Sequence, residues 1–139
     1  MTNKIKRRNF IETSAKGMAA AGLLTAASCT STRGNCLKGL FIHHVYFWLK
    51  KSVTPEVKEK FEKALKKLVT VETIVDYHLG VPAPTNRDVI DTSYTYSHLV
   101  TFQNKEDQDI YQTHPTHLKF IADCGDLWER VVVYDSVSI

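Results

Sequence analysis

The chain has 139 residues, of which 43% are hydrophobic, 10% aromatic and 24% charged, a length and composition typical of one globular domain. Its formal net charge of +3 comes from residues 1–28, where five basic side chains and one acid give +4, so the remainder is near −1. Because no basic stripe is interleaved with aromatic side chains, the sequence argues against a nucleic-acid-binding protein.

Residues 1–28 have the organisation of an export signal peptide: a basic run, a short apolar stretch and a zone of small residues. The letters RRNFI at residues 7–11 resemble the twin-arginine signal of bacterial export. The apolar stretch is too short for a membrane-spanning helix, which needs about 20 residues. The sequence therefore predicts an exported protein that is either periplasmic or anchored to a membrane.

The end of this signal, AASC, resembles a lipobox, in which the cysteine is lipidated and becomes the new N-terminus. On that interpretation Cys29 carries the lipid and attaches the protein to a membrane. Ala26 stands where such boxes usually have leucine, and an ordinary signal-peptidase cut after Ala27 is the alternative. A flexible linker is predicted over residues 29–38, and the folded domain over residues 39–139.

Two further cysteines follow Cys29 in the sequence. Cys36 falls in the linker and Cys124 lies near the end of the last helical segment. An oxidising compartment would permit a disulfide between them, but nothing in their spacing requires one.

The first predicted elements are a strand and a helix. Leu40–Leu49 is rich in aromatic and β-branched residues, and both of its faces are apolar. A helix is expected to begin at Thr54 and Pro55, a cap followed by a proline at the first helical position. Its apolar stripe continues to Leu68, and the Glu59–Lys63 and Glu62–Lys66 pairs should support its solvated side.

The second half of the domain is predicted to contain two strands, a helix and a last strand. Short strands are predicted over Thr73–Leu79 and Ser93–Phe102, with a loop between them. Asn104 is expected to cap a helix that Pro115 kinks or restarts and whose apolar pattern reaches Trp128. A last strand over Val131–Val137 is apolar on both faces at its start.

The order strand, helix, strand, strand, helix, strand predicts an α+β, ferredoxin-like βαββαβ fold. In this fold an antiparallel sheet carries its helices on one face and leaves the other face bare. Because the first and last strands are apolar on both faces, a bare sheet would expose a large apolar patch. We therefore predict a homodimer in which two sheets pack face to face as an α+β barrel.

The motifs HHVYFWLK, YSHLVTF, YQTHPTH and VVVYDS, in this order, resemble the Dabb family of stress-responsive A/B barrel domains. The resemblance covers about residues 40–136, and it implies ferredoxin-like dimers whose sheets close a barrel. Relatives in this superfamily include cofactor-free monooxygenases and plant polyketide cyclases, whereas most bacterial members have no assigned activity.

The resemblance also implies a pocket and its residues. The tyrosine and second histidine of YQTHPTH, Tyr111 and His117, match the acid/base pair of the cyclase-like members. His44 matches a pocket-lining histidine of the first strand, and either Tyr96 or His98 is expected to enter the same pocket. The remaining histidine of the motif, His114, completes the set of predicted pocket residues. The alternative is that these side chains only pack, cap or satisfy buried groups around the helix break.

The sequence predicts neither a metal site nor a cofactor. His114 and His117 are spaced i,i+3, but Pro115 distorts the turn between them and no third ligand is evident. The sequence contains no Gly-rich phosphate loop, CxxC pair or nucleophile elbow.

Three functions are compatible with these patterns. The first is an exported dimeric barrel that binds a small apolar or aromatic molecule. The second is a cofactor-independent enzyme, cyclase-like or monooxygenase-like, that uses Tyr111 and His117 as an acid/base pair. The third is a structural or accessory envelope lipoprotein. A cavity reached by the predicted pocket residues would favour the first two.

Overall fold

A computed structural model describes residues 36–139, so the predicted signal peptide, the twin-arginine motif and Cys29 lie outside the described residues. The elements are, in chain order, β1 (Phe41–Leu49), α1 (Pro55–Leu68), β2 (Asp76–Gly80), β3 (Tyr96–Phe102), α2 (Lys105–Thr113), α3 (Pro115–Cys124) and β4 (Trp128–Val137). The strands pair antiparallel in one four-stranded sheet of order β2-β3-β1-β4. The predicted ferredoxin-like fold is confirmed.

The helices begin where their capping residues place them. Thr54 accepts a hydrogen bond from the Val57 backbone N–H, and Asn104 accepts one from Asp107 at 2.9 Å. Pro115 cannot continue α2, so the second predicted helix is divided there and α3 starts at the proline. The extension of the helical pattern to Trp128 is wrong, because α3 ends at Cys124 and Trp128 is the first residue of β4.

The two faces of the sheet have different surroundings. Residues His43, Val45, Phe47 and Leu49 of β1 are buried beneath the helices, and their even-numbered neighbours lie on the opposite face. This opposite face, the open face, carries Ile42, His44, Tyr46 and Trp48 from β1 together with Val132 and Tyr134 from β4. In the described chain no helix packs over these side chains.

The core lies between the sheet and α1 with α3. Phe61 of α1 is fully buried and contacts the rings of Phe47, Tyr96, Phe120 and Trp128. These ring pairs are edge-to-face or tilted, which is the arrangement that aromatic quadrupoles prefer. Phe61 therefore joins α1 to three strands of the sheet, β1, β3 and β4, and to the neighbouring helix α3.

Two predicted pairings have different outcomes. Glu59 and Lys63 form the predicted ion pair at 2.7 Å on the solvated side of α1. Glu62 instead accepts a hydrogen bond from the Tyr96 hydroxyl at 2.7 Å.

Cys36 and Cys124 are both free, the first exposed and the second buried. Within residues 36–139, no helix has the length and apolar character that crossing a membrane requires.

Candidate functional site

A cavity of about 190 Å³ lies between the helix-covered face of the sheet and the α2–α3 pair. Most of its wall is apolar, and five polar side chains lie among the apolar ones. The lining residues are His43, Val45, Phe47, Leu68, His98, Tyr111, Gln112, His117, Phe120, Ile121, Trp128, Val131 and Val133. An apolar hollow with a few convergent polar groups is the usual form of a small-molecule site.

Adjacent strands bring His43 and Asp135 together. The two residues are direct partners in the β1–β4 register, and His43 Nδ1 lies 2.7 Å from a carboxylate oxygen of Asp135. His43 is almost fully buried, whereas nearly half of the Asp135 side chain is exposed. Because a carboxylate can only accept, Nδ1 of His43 donates this hydrogen bond, which in the neutral form of the ring leaves Nε2 as the acceptor. Asp135 therefore fixes both the tautomer and the orientation of His43.

Tyr111 and His117 meet at the helix side of the cavity, with ring centroids 4.8 Å apart. Burial raises the pKa of the Tyr111 hydroxyl above its ordinary value, so the phenol stays protonated and can donate. Burial lowers the pKa of His117, while a hydrogen bond to the backbone of Gln112 acts in the opposite direction. His117 is therefore neutral at neutral pH, and its Nδ1 is buried without a hydrogen-bond partner.

His98 is deeply buried in the site, with 1% of its surface exposed. Burial lowers its pKa to about 3, and the neighbouring His43 and His117 contribute further in the same direction. Its Nε2 has no hydrogen-bond partner among the described residues. A buried polar atom left in this way costs stability unless a partner is supplied, and a bound molecule could supply one.

We expect His98 to make the protein less stable in mild acid. Its folded pKa is about 3 and lies below the unfolded value of about 6.5, so only the unfolded state takes up this proton as the pH falls between them. The free energy of unfolding should therefore fall below about pH 6.5, by at most about 1.4 kcal/mol per unit for one group. Urea unfolding at pH 7, 5.5 and 4.5 measures this decrease.

The matched variant for this test is His98→Gln, which keeps a polar side chain of similar size without the titration. His44 and His117 also have lowered pKa values, and they remain in both proteins. The difference between the two pH profiles therefore isolates His98. Equal acid sensitivity in the variant and the wild type would contradict the assignment.

Three of the predicted site residues line this cavity, namely Tyr111, His117 and His98. His44 does not line this cavity and lies on the open face, with its ring 4.3 Å from that of Tyr46. Successive residues of a strand point to opposite faces, so of the two adjacent histidines only His43 enters the cavity.

The other two predicted residues also lie outside it. Tyr96 shares a strand face with His98, but it lines a separate cleft at the edge of the sheet beside Glu62. His114 ends α2 and begins α3, and its Nδ1 accepts a hydrogen bond from the Thr116 backbone N–H at 3.1 Å. This hydrogen bond caps the start of α3, and capping was the alternative to a pocket role for this residue. His114 accepts the hydrogen bond from a backbone N–H and does not donate one to a carbonyl.

Sequence reasoning missed His43 and Asp135. Strand alternation in the sequence shows only that one of the two adjacent histidines lies on the covered face, and the burial of Val45 and Phe47 beneath the helices identifies it as His43. Asp135 then follows from the pairing of β1 with β4.

The arrangement combines a neutral acceptor, His117, with a neutral donor, Tyr111, in a mostly apolar hollow. Such a pair can bind a molecule that presents both a hydroxyl and a carbonyl, and it can also move a proton at neutral pH. Across residues 36–139, no three His, Cys, Asp or Glu side chains form a group that could hold a metal ion.

Comparison with known proteins shows where this fold occurs. Residues 41–138 match the family described as the Stress Responsive A/B Barrel Domain, or Dabb. No curated protein gives a significant match. Among solved structures, a protein of Arabidopsis thaliana is 28% identical, with a TM-score of 0.59 and coverage of 71% of this chain and 99% of that chain.

Two other solved structures have lower identity and the same architecture. A dimeric ferredoxin-like protein of unknown function from Thermobifida fusca is 20% identical, with a TM-score of 0.60 and coverage of 76% of this chain and 97% of that chain. A hydroxynitrile lyase from Passiflora edulis is 18% identical, with a TM-score of 0.63 and coverage of 72% and 94%. At these identities the similarity concerns the fold alone.

Proposed function

Since the chain belongs to the Stress Responsive A/B Barrel Domain family, we propose that it is a dimeric protein that binds one small aromatic molecule in the cavity beneath its helices. The observation that carries this proposal is the cavity itself, which gathers Tyr111, His117, His98 and His43 in a mostly apolar wall. A purely structural lipoprotein, the third function considered, has no need of such a hollow.

The size of the cavity limits the ligand. Its volume of about 190 Å³ is slightly larger than the roughly 150 Å³ of a dry protein cavity known to take benzene. One aromatic ring with one or two small polar substituents therefore fills it, and the exposed side chains of Ile121, Val131 and Val133 lie where it opens to solvent. A phenolic hydroxyl or carbonyl would reach the buried donors and acceptors, so the proposed ligand class is single-ring phenols and related compounds.

The open face supports the dimer. Ile42, Tyr46, Trp48, Val132 and Tyr134 form an apolar and aromatic surface on that side of the sheet. Exposed patches of this kind usually mark an interface. The similar protein from Thermobifida fusca is described as dimeric. A second copy packed sheet to sheet is the occupant that we propose.

A second candidate function is cofactor-independent acid/base catalysis on the same class of compound. The observation that favours it is the Tyr111–His117 pair, whose ring centroids lie 4.8 Å apart, because a protonated phenol beside a neutral imidazole with an unpartnered Nδ1 can donate and accept a proton at neutral pH. In this alternative Tyr111 donates a hydrogen bond to a developing oxyanion and His117 takes the proton. The Passiflora edulis relative shows that an enzyme can use this fold.

Phenol is the probe that tests the binding site. We expect the full chain to bind phenol in the cavity, and Ile121→Trp, which fills the cavity from α3, to abolish the binding heat in isothermal titration calorimetry. Tyr111→Phe should weaken binding by about three- to tenfold, the worth of one hydrogen bond. The control is Tyr134→Phe on the open face, which should leave phenol affinity unchanged. Unaltered binding in Ile121→Trp would place the site elsewhere.

Turnover separates the two candidates. With a compound that the protein converts, Tyr111→Phe and His117→Ala should abolish the rate, whereas a binding protein shows only the change in affinity.

Native mass spectrometry of the protein from its host tests the remaining proposals together. It should reveal a dimer mass, loss of residues 1–28, a lipid on Cys29 and any small molecule carried from the cell. An unprocessed N-terminus would contradict twin-arginine export and membrane attachment without affecting the cavity.

A further inference from the structure

Two polar atoms in the wall of the cavity beneath the helices are left without partners. His98 Nε2 and His117 Nδ1 are both buried, and neither has a hydrogen-bond partner among the described residues. A neutral imidazole has one donor nitrogen and one acceptor nitrogen, so the tautomer decides which role each unpartnered atom has. That role in turn decides what a bound molecule must supply to pair the atom.

The contacts of His117 make its unpartnered nitrogen an acceptor. Its ring forms a hydrogen bond to the backbone of Gln112, and this contact acts to raise its pKa, against the larger effect of burial. A hydrogen bond has this effect on a histidine only where the ring donates to a carbonyl, because the carbonyl favours the protonated ring. Since Nδ1 has no partner, Nε2 is the donor, and Nδ1 of the neutral ring carries the lone pair.

His98 has the same kind of unpartnered acceptor. Burial lowers its pKa, and a hydrogen bond between its ring and its own backbone acts in the opposite direction, so this ring also donates to a carbonyl. Nδ1 is the ring nitrogen nearer to the main chain, and it therefore makes this contact. In the neutral ring, Nε2 is then left as the acceptor.

The other polar side chains of the wall do not pair these two nitrogens. Tyr111, Gln112 and Trp128 line the cavity and carry donor groups, yet none of them forms a hydrogen bond with either nitrogen. His43 donates through Nδ1 to Asp135, which in its neutral form leaves Nε2 as a further acceptor. The cavity therefore lacks donors at the two places where buried acceptors are unpaired.

We propose that the ligand of this cavity is a single-ring aromatic compound with two hydrogen-bond donors, of which the dihydroxybenzenes are the simplest. One hydroxyl donates to His98 Nε2 and the other to His117 Nδ1, and the Tyr111 hydroxyl donates to an oxygen of the same ligand. This inference rests on the proposed function, because it specifies the ligand of the same cavity. A compound that only accepts, such as an aromatic ketone, would leave both nitrogens unpaired, and sites with buried polar groups reject such analogues strongly.

Isothermal titration calorimetry on the full chain compares the 1,2-, 1,3- and 1,4-dihydroxybenzenes with the matching fluorophenols, in which a fluorine that cannot donate replaces one hydroxyl. We expect at least one dihydroxybenzene to bind about tenfold or more tightly than its fluorophenol, because its second hydroxyl pairs a buried acceptor. Equal affinity within every pair, while phenol still binds, would overturn this inference and leave the proposed function intact. No binding by any of these compounds, phenol included, would overturn both.

Variants of His98 locate the preference for a second hydroxyl. His98→Leu removes one acceptor and should reduce the preference to less than about twofold, whereas His98→Gln, whose amide oxygen can accept, should retain part of it. The control is His78→Leu, which removes an exposed histidine of β2 and should leave the preference unchanged. Near-UV circular dichroism confirms that each variant is folded. A full preference in folded His98→Leu would contradict the role of His98.

The tautomers can be measured without any ligand. Long-range ¹H–¹⁵N correlation spectra of the full chain at neutral pH distinguish a protonated Nδ1 from a protonated Nε2, and the spectrum of His98→Gln identifies the signals of His98 by their loss. We expect a protonated Nδ1 in His98 and a protonated Nε2 in His117. A protonated Nε2 in His98 would turn its unpartnered nitrogen into a donor and would overturn the proposal, while phenol binding would be unaffected.

Discussion

Replacing Phe61 with alanine should lower the free energy of unfolding by about 3–5 kcal/mol, the largest loss of stability expected from any single truncation in this core. Phe61 has no exposed surface and lies among Phe47, Tyr96, Phe120 and Trp128. Truncation leaves a cavity that the surrounding rings cannot fill, because three strands and α3 fix their backbones. Both the lost transfer free energy and the lost ring contacts contribute.

Urea unfolding followed by tryptophan fluorescence measures this loss. Wild type and Phe61→Ala should differ in transition midpoint with the same slope, since the folded state remains compact. The control is Ile110→Ala, because Ile110 is an apolar helix residue with 51% of its surface exposed. Its truncation should change the free energy of unfolding by less than about 0.5 kcal/mol. A comparable loss in both variants would mean that Phe61 is not the centre of the core.

Replacing Val132 with aspartate should separate the proposed dimer into single copies. Val132 lies opposite Tyr46 in the β1–β4 register, in the middle of the open face. A two-fold interface contains every substitution twice, so two carboxylates would be placed near each other in a surface that has lost water. We expect the dimer to weaken by about a thousandfold, which corresponds to about 4 kcal/mol.

Sedimentation velocity between 1 and 100 μM, concentrations chosen to bracket about micromolar affinity, measures the change. The matched control is Val133→Asp, the next residue of the same strand, whose side chain points toward the helices. It introduces the same charge on the opposite face and should leave the dimer intact, although it alters the cavity wall. If wild type sediments as a single copy throughout, the sheet-to-sheet dimer is wrong.

The fold could be predicted because its signals are local. Thr54 with Pro55, Asn104 and Pro115 each mark a helix boundary through backbone chemistry that does not depend on the rest of the chain. The strands are marked by their β-branched and aromatic content. The error at Trp128 arose where the apolar spacing continued past the end of α3 and so imitated another helical turn.

The candidate site could be predicted only in part, because strand parity is a tertiary property. His43 and His44 are adjacent, and both faces of β1 are apolar, so the sequence alone does not show which face the helices cover. The packing of Phe47 against Phe61 decides it. Tyr96 is on the same strand face as His98, but it lines a different cleft and its hydroxyl donates a hydrogen bond to Glu62, a partner that no spacing rule indicates.

The break at Pro115 determines whether Tyr111 and His117 can act together at all. In one continuous helix, residues six positions apart are separated by about 9 Å along the axis and by about 120° around it, so their side chains would diverge. Here the chain turns at His114 between two short helices, and the two rings meet at 4.8 Å. Pro115 therefore places a bend between α2 and α3. The angle between these two helices, more than the identity of either residue, sets the distance between the Tyr111 and His117 side chains and so the size of a ligand that can contact both.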